Sequence, residues 1–220
     1  MKVVEIFGSI QGEGLLIGCP TVFIRFSGCN LRCRWCDTSY AFKEGKEMAV
    51  SAIFGSVLLT SNCKWVCLTG GEPLLQDKRQ LELLLQAFRG VGKKITVETN
   101  GTIKPPEYLL ENVDLWSVSP KLTNSGMKDK LNIEALRMFA GAQAAQFKFV
   151  IERLEDVNEA FQTMDANNIH GTVILQPQGY GDFMSTLRKI AEYVKANYSH
   201  RDVRILPQLH ILMYGHRKGI

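Results

Sequence analysis

The sequence predicts an α/β fold: a single domain over residues 1–220, built as an incomplete TIM-type barrel of six or so mainly parallel strands. Three observations predict it. Short apolar runs alternate with helix-like segments along the chain, the pattern of successive right-handed βαβ units. The apolar runs are nearly continuous, as in strands of a parallel sheet buried on both faces. The length of 220 residues allows a full core but falls short of the roughly 250 residues of a complete eight-stranded barrel. An open doubly wound sheet is the alternative architecture.

Strands are expected at Thr21–Phe26, Trp65–Thr69, Lys94–Glu98, Leu115–Ser119, Ala145–Ile151, Thr172–Gln176 and Val203–Leu206. Each is a short run rich in β-branched or aromatic residues. Helices are expected at Ala49–Leu59, Lys78–Phe88, Ile133–Ala140, Val157–Ala166 and Met184–Ala196. In the second, Leu81, Leu84, Leu85 and Phe88 recur every three or four residues, as one helix face requires. No internal repeat, low-complexity segment or linker interrupts the series. The segment from Tyr40 to Cys63 is the least defined.

In either architecture a site forms at the C-terminal ends of the strands. Those ends are polar or small in this chain. Thr69-Gly70-Gly71-Glu72-Pro73, Glu98-Thr99-Asn100-Gly101, Ser117 with Ser119-Pro120-Lys121, Gln176-Pro177-Gln178 and Gln208-Leu209-His210 follow successive strands. One such end is a turn; this many on one rim suit a large polar ligand or two ligands side by side.

The first strand leads into Cys29-x3-Cys33-x2-Cys36. Three thiolates this close suit three irons of a [4Fe–4S] cube, leaving a fourth iron open for chemistry. The rival is a zinc site, but zinc commonly takes two close pairs and no second knuckle is evident. Cys63, Cys67 and Cys19 are expected to be structural thiols.

Composition limits the function classes. Hydrophobic residues make up 45% and charged residues 22%, ordinary for a globular protein. The formal charge of +4 comes without a long basic block, which argues against a nucleic-acid surface and suits anionic small molecules. The start lacks the apolar run of a signal peptide, and no stretch is long enough to span a bilayer. A cytoplasmic location is expected, where cysteines serve metal or redox chemistry.

The cysteine trio, with Trp35 before its last member, resembles the radical S-adenosylmethionine (SAM) enzymes. Thr69-Gly70-Gly71-Glu72-Pro73 resembles their second signature, which meets the methionine end of SAM. The flanks narrow this further. Ser9-Ile10-Gln11-Gly12-Glu13-Gly14, Phe23-Ile24-Arg25-Phe26-Ser27-Gly28-Cys29, Cys36-Asp37-Thr38, Val118-Ser119-Pro120-Lys121, Gln176-Pro177 and Gln208-x-His210 are together similar to the 7-carboxy-7-deazaguanine synthases. The resemblance spans about residues 5–210. It implies a radical SAM core with the partial barrel and usually a homodimer. It implies a rearrangement of 6-carboxy-5,6,7,8-tetrahydropterin to 7-carboxy-7-deazaguanine with loss of ammonia, in queuosine and related deazapurine pathways. A 5′-deoxyadenosyl radical abstracts the substrate hydrogen. A reductant protein such as a flavodoxin is implied as partner.

The resemblance also implies roles. Cys29, Cys33 and Cys36 hold the cluster. Ile10, Gln11, Gly12, Arg25 and Thr69 meet substrate. Trp35, Cys36, Asp37, Gly71, Ser119, Pro120, Lys121, Gln176, Pro177 and Gln178 meet SAM, with Glu72 in its signature. Thr38 is a magnesium ligand, a hydroxyl suited to a hard cation bridging to the substrate carboxylate.

Chemistry of the residues themselves adds the rest. Arg25 offers a planar fork to a carboxylate or polar ring edge; otherwise it is a strand-end surface arginine. Gln11 and Glu13 suit amide-like pterin groups, with Gly12 and Gly14 admitting the ring; otherwise the run is a glycine turn. His210 is a structural histidine or a substrate contact. The carboxylate of Ile220 is a candidate substrate contact. Two rival functions stand beside this one. A glycyl-radical enzyme activase shares the cysteine loop but has no use for the Gln11–Glu13 and Arg25 set. An iron–sulfur or zinc regulatory module needs neither Thr69–Pro73 nor polar ends on successive strands.

Overall fold

Valine, isoleucine, leucine and phenylalanine alternate along the central strands with Arg25, Thr69, Glu98, Ser117, Lys148 and Gln176, so one face packs as core and the other lines a cavity, not the continuous apolar run the sequence suggested. The computed structural model describes residues 1–217 and 219. Its strands are β1 Lys2–Ile10, β2 Pro20–Phe26, β3 Lys46–Glu47, β4 Trp65–Gly70, β5 Lys94–Thr99, β6 Leu115–Val118, β7 Ala145–Ile151, β8 Thr172–Pro177 and β9 Val203–Ile205. The helices are α1 Val50–Thr60, α2 Lys78–Gly90, α3 Glu107–Asn112, α4 Ile133–Ala140, α5 Leu154–Asp165, α6 Phe183–Asn197 and α7 Leu209–Tyr214.

Among the described residues these strands form one sheet in the order β3-β1-β2-β4-β5-β6-β7-β8-β9. From β2 to β9 every pairing is parallel. β9 pairs with neither β1 nor β3 in that order, so the barrel stays open. This is the incomplete barrel expected from the length. The expected strands and helices are all present, with ends displaced by up to three residues.

Four elements were not expected: β1, β3, α3 and α7. β1 runs antiparallel to β2, with Glu5 opposite Arg25 next to an irregularity in register. Most of its residues are only partly buried, so it lacks both the continuous apolar run and the alternation that announce a strand. Its partner β3 is two residues long, and α3 and α7 each have six. Elements that short show no full period.

The helices are held by caps and by one buried face. Asp77 accepts from Gln80 N at 2.9 Å, Asn132 from Ala135 N at 3.1 Å and Asp182 from Ser185 N at 3.1 Å, starting α2, α4 and α6. Leu81, Leu84, Leu85 and Phe88 of α2 are fully buried, each burial stabilising by about 1.5–3 kcal/mol. Trp116 of β6 packs on Phe139 of α4 with ring centroids 4.9 Å apart. Among the described residues no helix is long and apolar enough to cross a membrane.

Candidate active site

A cavity of about 240 Å³ opens at the concave side of the sheet and gathers residues from most strands. The loop after β2 forms part of its lining. The loop folds as it does because its glycines allow two strand ends to touch. Gly70 has φ of +125°, and a Cβ there would overlap the Phe26 backbone. A Cβ on Gly71 would overlap the Gly28 carbonyl. Gly71 N donates to Phe26 O at 3.0 Å, and Glu72 N donates to Gly28 O at 2.8 Å. The glycine pair after β4 therefore lies directly against the entrance to the cysteine loop.

Cys29, Cys33 and Cys36 all line this cavity. Burial pushes the Cys33 and Cys36 thiols up from their ordinary value, and coordination to iron would offset that by stabilising the thiolate. Among the described residues no three such groups converge on one ion. A cube does not require that, because each thiolate takes a different iron. Three soft donors with N–H groups beside Cys29 Sγ, Leu31 N at 3.4 Å and Asn100 Nδ2 at 3.9 Å, fit a [4Fe–4S] cluster. Cys19, Cys63 and Cys67 lie outside the cavity, and Cys63 meets Ser61 Oγ at 3.0 Å.

Ile10, Gln11, Gly12, Glu13, Arg25, Trp35, Asp37, Thr38, Thr69, Gly71, Ser119, Lys121, Gln176, Gln178 and His210 line the same cavity, as the sequence predicts. Glu72, Pro120 and Pro177 do not. Glu72 is fully buried, and its carboxylate accepts from Leu74 N at 3.1 Å, Thr99 Oγ1 at 2.8 Å and Asn100 N at 2.7 Å. It ties the end of β4 to the end of β5 rather than facing a ligand. Pro120 and Pro177 each sit between two lining residues, and alternation along extended chain turns them to the opposite face. Ile220 lies outside the described residues.

The glycines of the Gln11–Gly14 run also serve the packing of the protein itself. The run is the loop of the β1–β2 hairpin, with Gln11 N donating to Cys19 O and Gly18 N to Gln11 O, both at 2.8 Å. A Cβ on Gly12 would overlap the His210 ring, and one on Gly14 the Gln146 amide. Absence of a side chain thus admits two neighbouring side chains. Leu209 N donates to Gly12 O at 2.9 Å, tying the loop to the start of α7.

Charge is distributed through the cavity in pairs. Glu98 of β5 accepts from Gln11 Nε2 at 2.9 Å and from Thr69 Oγ1 at 2.7 Å. Arg25 Nε donates to Glu5 Oε1 at 2.6 Å, and the Tyr40 hydroxyl donates to the same oxygen at 2.8 Å. That side-on contact leaves the end of the guanidinium fork for the cavity. Lys121 donates to Ser119 Oγ at 2.9 Å and stands 5.4 Å from the Trp35 ring centroid; burial lowers its pKa. Thr38 Oγ1 donates to Asp37 Oδ1 at 2.9 Å.

The sequence reading missed Lys148, which ion-pairs with Glu13 inside the cavity. It sits on β7 between Phe147 and Phe149, both fully buried on the opposite face. That lone inward lysine in an aromatic strand was the available signal.

An open parallel barrel whose first parallel strand ends in three cysteines, with a glycine pair packed against them over one cavity, defines a radical SAM domain. The radical SAM superfamily model matches residues 23–194. The whole chain aligns at 38% identity with the 7-carboxy-7-deazaguanine synthase of Pyrobaculum aerophilum, covering 97% of that protein. It aligns, again over its whole length, at 34% with that of Thermoplasma acidophilum, covering 100% of it. The crystal structure of QueE from Escherichia coli superposes with a TM-score of 0.74 at 25% identity, over 95% of this chain and 94% of that one. The chain belongs to the 7-carboxy-7-deazaguanine synthase family of radical SAM enzymes. With that membership come a [4Fe–4S] cluster and SAM as its cofactors.

Proposed function

We propose that the chain converts 6-carboxy-5,6,7,8-tetrahydropterin to 7-carboxy-7-deazaguanine with loss of ammonia. The observation that supports it most is full-length similarity to synthases of that product combined with one cavity holding both the cysteine trio and the Gln11, Arg25, Thr69 and His210 set. A glycyl-radical activase or a regulatory module has no use for that polar set.

When bound, the cluster and SAM supply one-electron chemistry that activates an otherwise inert C–H bond. The protein binds, orients and excludes water. Ile10, Gln11, Gly12, Arg25, Thr69 and His210 hold the substrate, Arg25 by the free end of its fork. Trp35, Asp37, Gly71, Ser119, Lys121, Gln176 and Gln178 hold SAM beside the three cysteines. Thr38, with Asp37 next to it, would offer hard oxygen to a magnesium ion, which would supply positive charge for the substrate carboxylate.

A reductant such as a flavodoxin approaches the exposed Arg32 and Arg34 of the cluster loop. Two copies associate, an expectation supported by the exposed Leu58, Leu59 and Leu83 on α1 and α2. Light scattering that returns 24.7 kDa at working concentration rejects the dimer. Six free cysteines suit a reducing, cytoplasmic compartment.

The test is anaerobic. Protein reconstituted with iron and sulfide, then reduced, receives SAM, magnesium and the tetrahydropterin. Deazapurine forms, and less forms when magnesium is withheld. Cys29→Ser, Cys33→Ser and Cys36→Ser each abolish turnover, while Cys63→Ser retains it. A fully loaded protein that cleaves SAM but yields no deazapurine rejects this substrate.

A further inference from the structure

Glu13 lies in the cavity, yet its carboxylate is already engaged by the protein. Oε1 accepts from Gln176 Nε2 at 3.0 Å and from Gln208 Nε2 at 2.7 Å. Oε2 is paired with Lys148 Nζ. Four parts of the chain therefore meet on one side chain: the hairpin loop, β7, β8 and the segment before α7. The other end of the Gln176 amide differs. Gln176 is 1% exposed, and its Oε1 is buried with no protein partner among the described residues. A buried carbonyl oxygen left unpaired costs stability unless a ligand completes it.

We propose that Glu13 is a positioning residue that fixes the Gln176 amide with its oxygen towards the bound ligand. The reason is electrostatic. A side-chain amide flips readily between two nearly isosteric orientations. Flipping Gln176 would bring its oxygen against the Glu13 carboxylate, acceptor against acceptor, and turn its NH2 to the ligand. An ionised Glu13 forbids that state. Burial works against ionisation, but Lys148 and then His210 outweigh it and pull the Glu13 carboxyl down to about 2. Gln208 is fixed in the same way. Its oxygen lies against the Gly179 backbone, where a Cβ would overlap it. Gln176 lines the cavity, and its buried, unpartnered oxygen is the acceptor that an N–H or O–H donor of the ligand would complete. This rests on the reading that Gln176 faces SAM, whose ribose hydroxyls and adenine amino group are such donors.

Equilibrium dialysis of SAM, and separately of the tetrahydropterin, against reconstituted but unreduced enzyme tests the idea without turnover. Variants with unaltered circular dichroism and iron content are compared. Glu13→Gln and Gln176→Leu each weaken SAM binding about tenfold, the cost of one unsatisfied buried group. The double variant binds no more weakly than Gln176→Leu alone. Losses that add in the double variant, or full SAM affinity in Glu13→Gln, overturn the positioning role while leaving Gln176 a SAM contact. Gln176→Leu without effect on either ligand overturns both. If Glu13→Gln does not fold, Glu13→Asp takes its place, because it keeps the charge but withdraws the oxygens; the same cycle applies.

Discussion

At the scale of single residues, the cavity is governed by which carboxylates are consumed by the protein. Glu5 orients Arg25, Glu13 collects two amides and Lys148, and Glu72 stitches two strand ends together. The sequence shows residue type but not orientation, so Gln176 and Glu13 read alike as polar contacts, and Glu72 reads as one more. Glu13 makes a pH prediction. Burial opposes its ionisation, but Lys148 and His210 hold the carboxyl down to about 2, below its ordinary value of 4.5, so the folded state favours the ionised form. The resulting stability is complete above pH 4.5 and disappears as pH falls towards 2. Acid titration followed by circular dichroism should show a shallower loss between those limits in Glu13→Gln than in wild type. Equal slopes would mean that the ion pair with Lys148 adds nothing to folding.

At the scale of elements, the contact between the end of β4 and the end of β2 decides whether the cluster loop can form. Gly71→Ala places a methyl on the Gly28 carbonyl, and backbone cannot yield as a flexible side chain can. Iron content after reconstitution should fall well below that of wild type, while the far-ultraviolet spectrum keeps its α/β shape. Wild-type iron content would show that the loop accommodates the methyl. The same comparison explains what was legible beforehand. β2 and β4 to β8 are largely buried strands of four to seven residues with an apolar residue at every second position, and that periodicity is unmistakable. β1 was opaque because it is an antiparallel strand only partly buried. Missing it hid the hairpin, and with it the reason why Gln11 and Glu13 reach β5, β7 and β8 at all. Motifs fixed by covalent spacing, such as Cys29-x3-Cys33-x2-Cys36, survived that error. Contacts made across the barrel, such as Lys148 with Glu13, had no signature in spacing.

At the scale of the whole molecule, the open sheet is stabilised by what fills it. Where SAM binds the folded, cluster-bearing protein and not the unfolded chain, its free energy of binding adds to folding. At a hundredfold excess over Kd this amounts to about 2.7 kcal/mol, or a rise in Tm of roughly 5–10 °C for a chain of this size. Calorimetry under anaerobic conditions should show that rise with the cluster present and lose most of it after the iron is removed by chelation. An equal shift in cluster-free protein would mean that SAM is held by the cavity alone. The β1–β2 hairpin has a consequence of another kind. The cysteines and the glycine pair follow two neighbouring strands, β2 and β4, while the loop from Gln11 to Cys19 reaches across to β5, β7 and β8. The igniter and the gauge are thus separate parts. Substitutions at Gln11 or Gly12 can resize the chamber, and so change which molecule is admitted, while the cysteine loop and the glycine pair stay where they are.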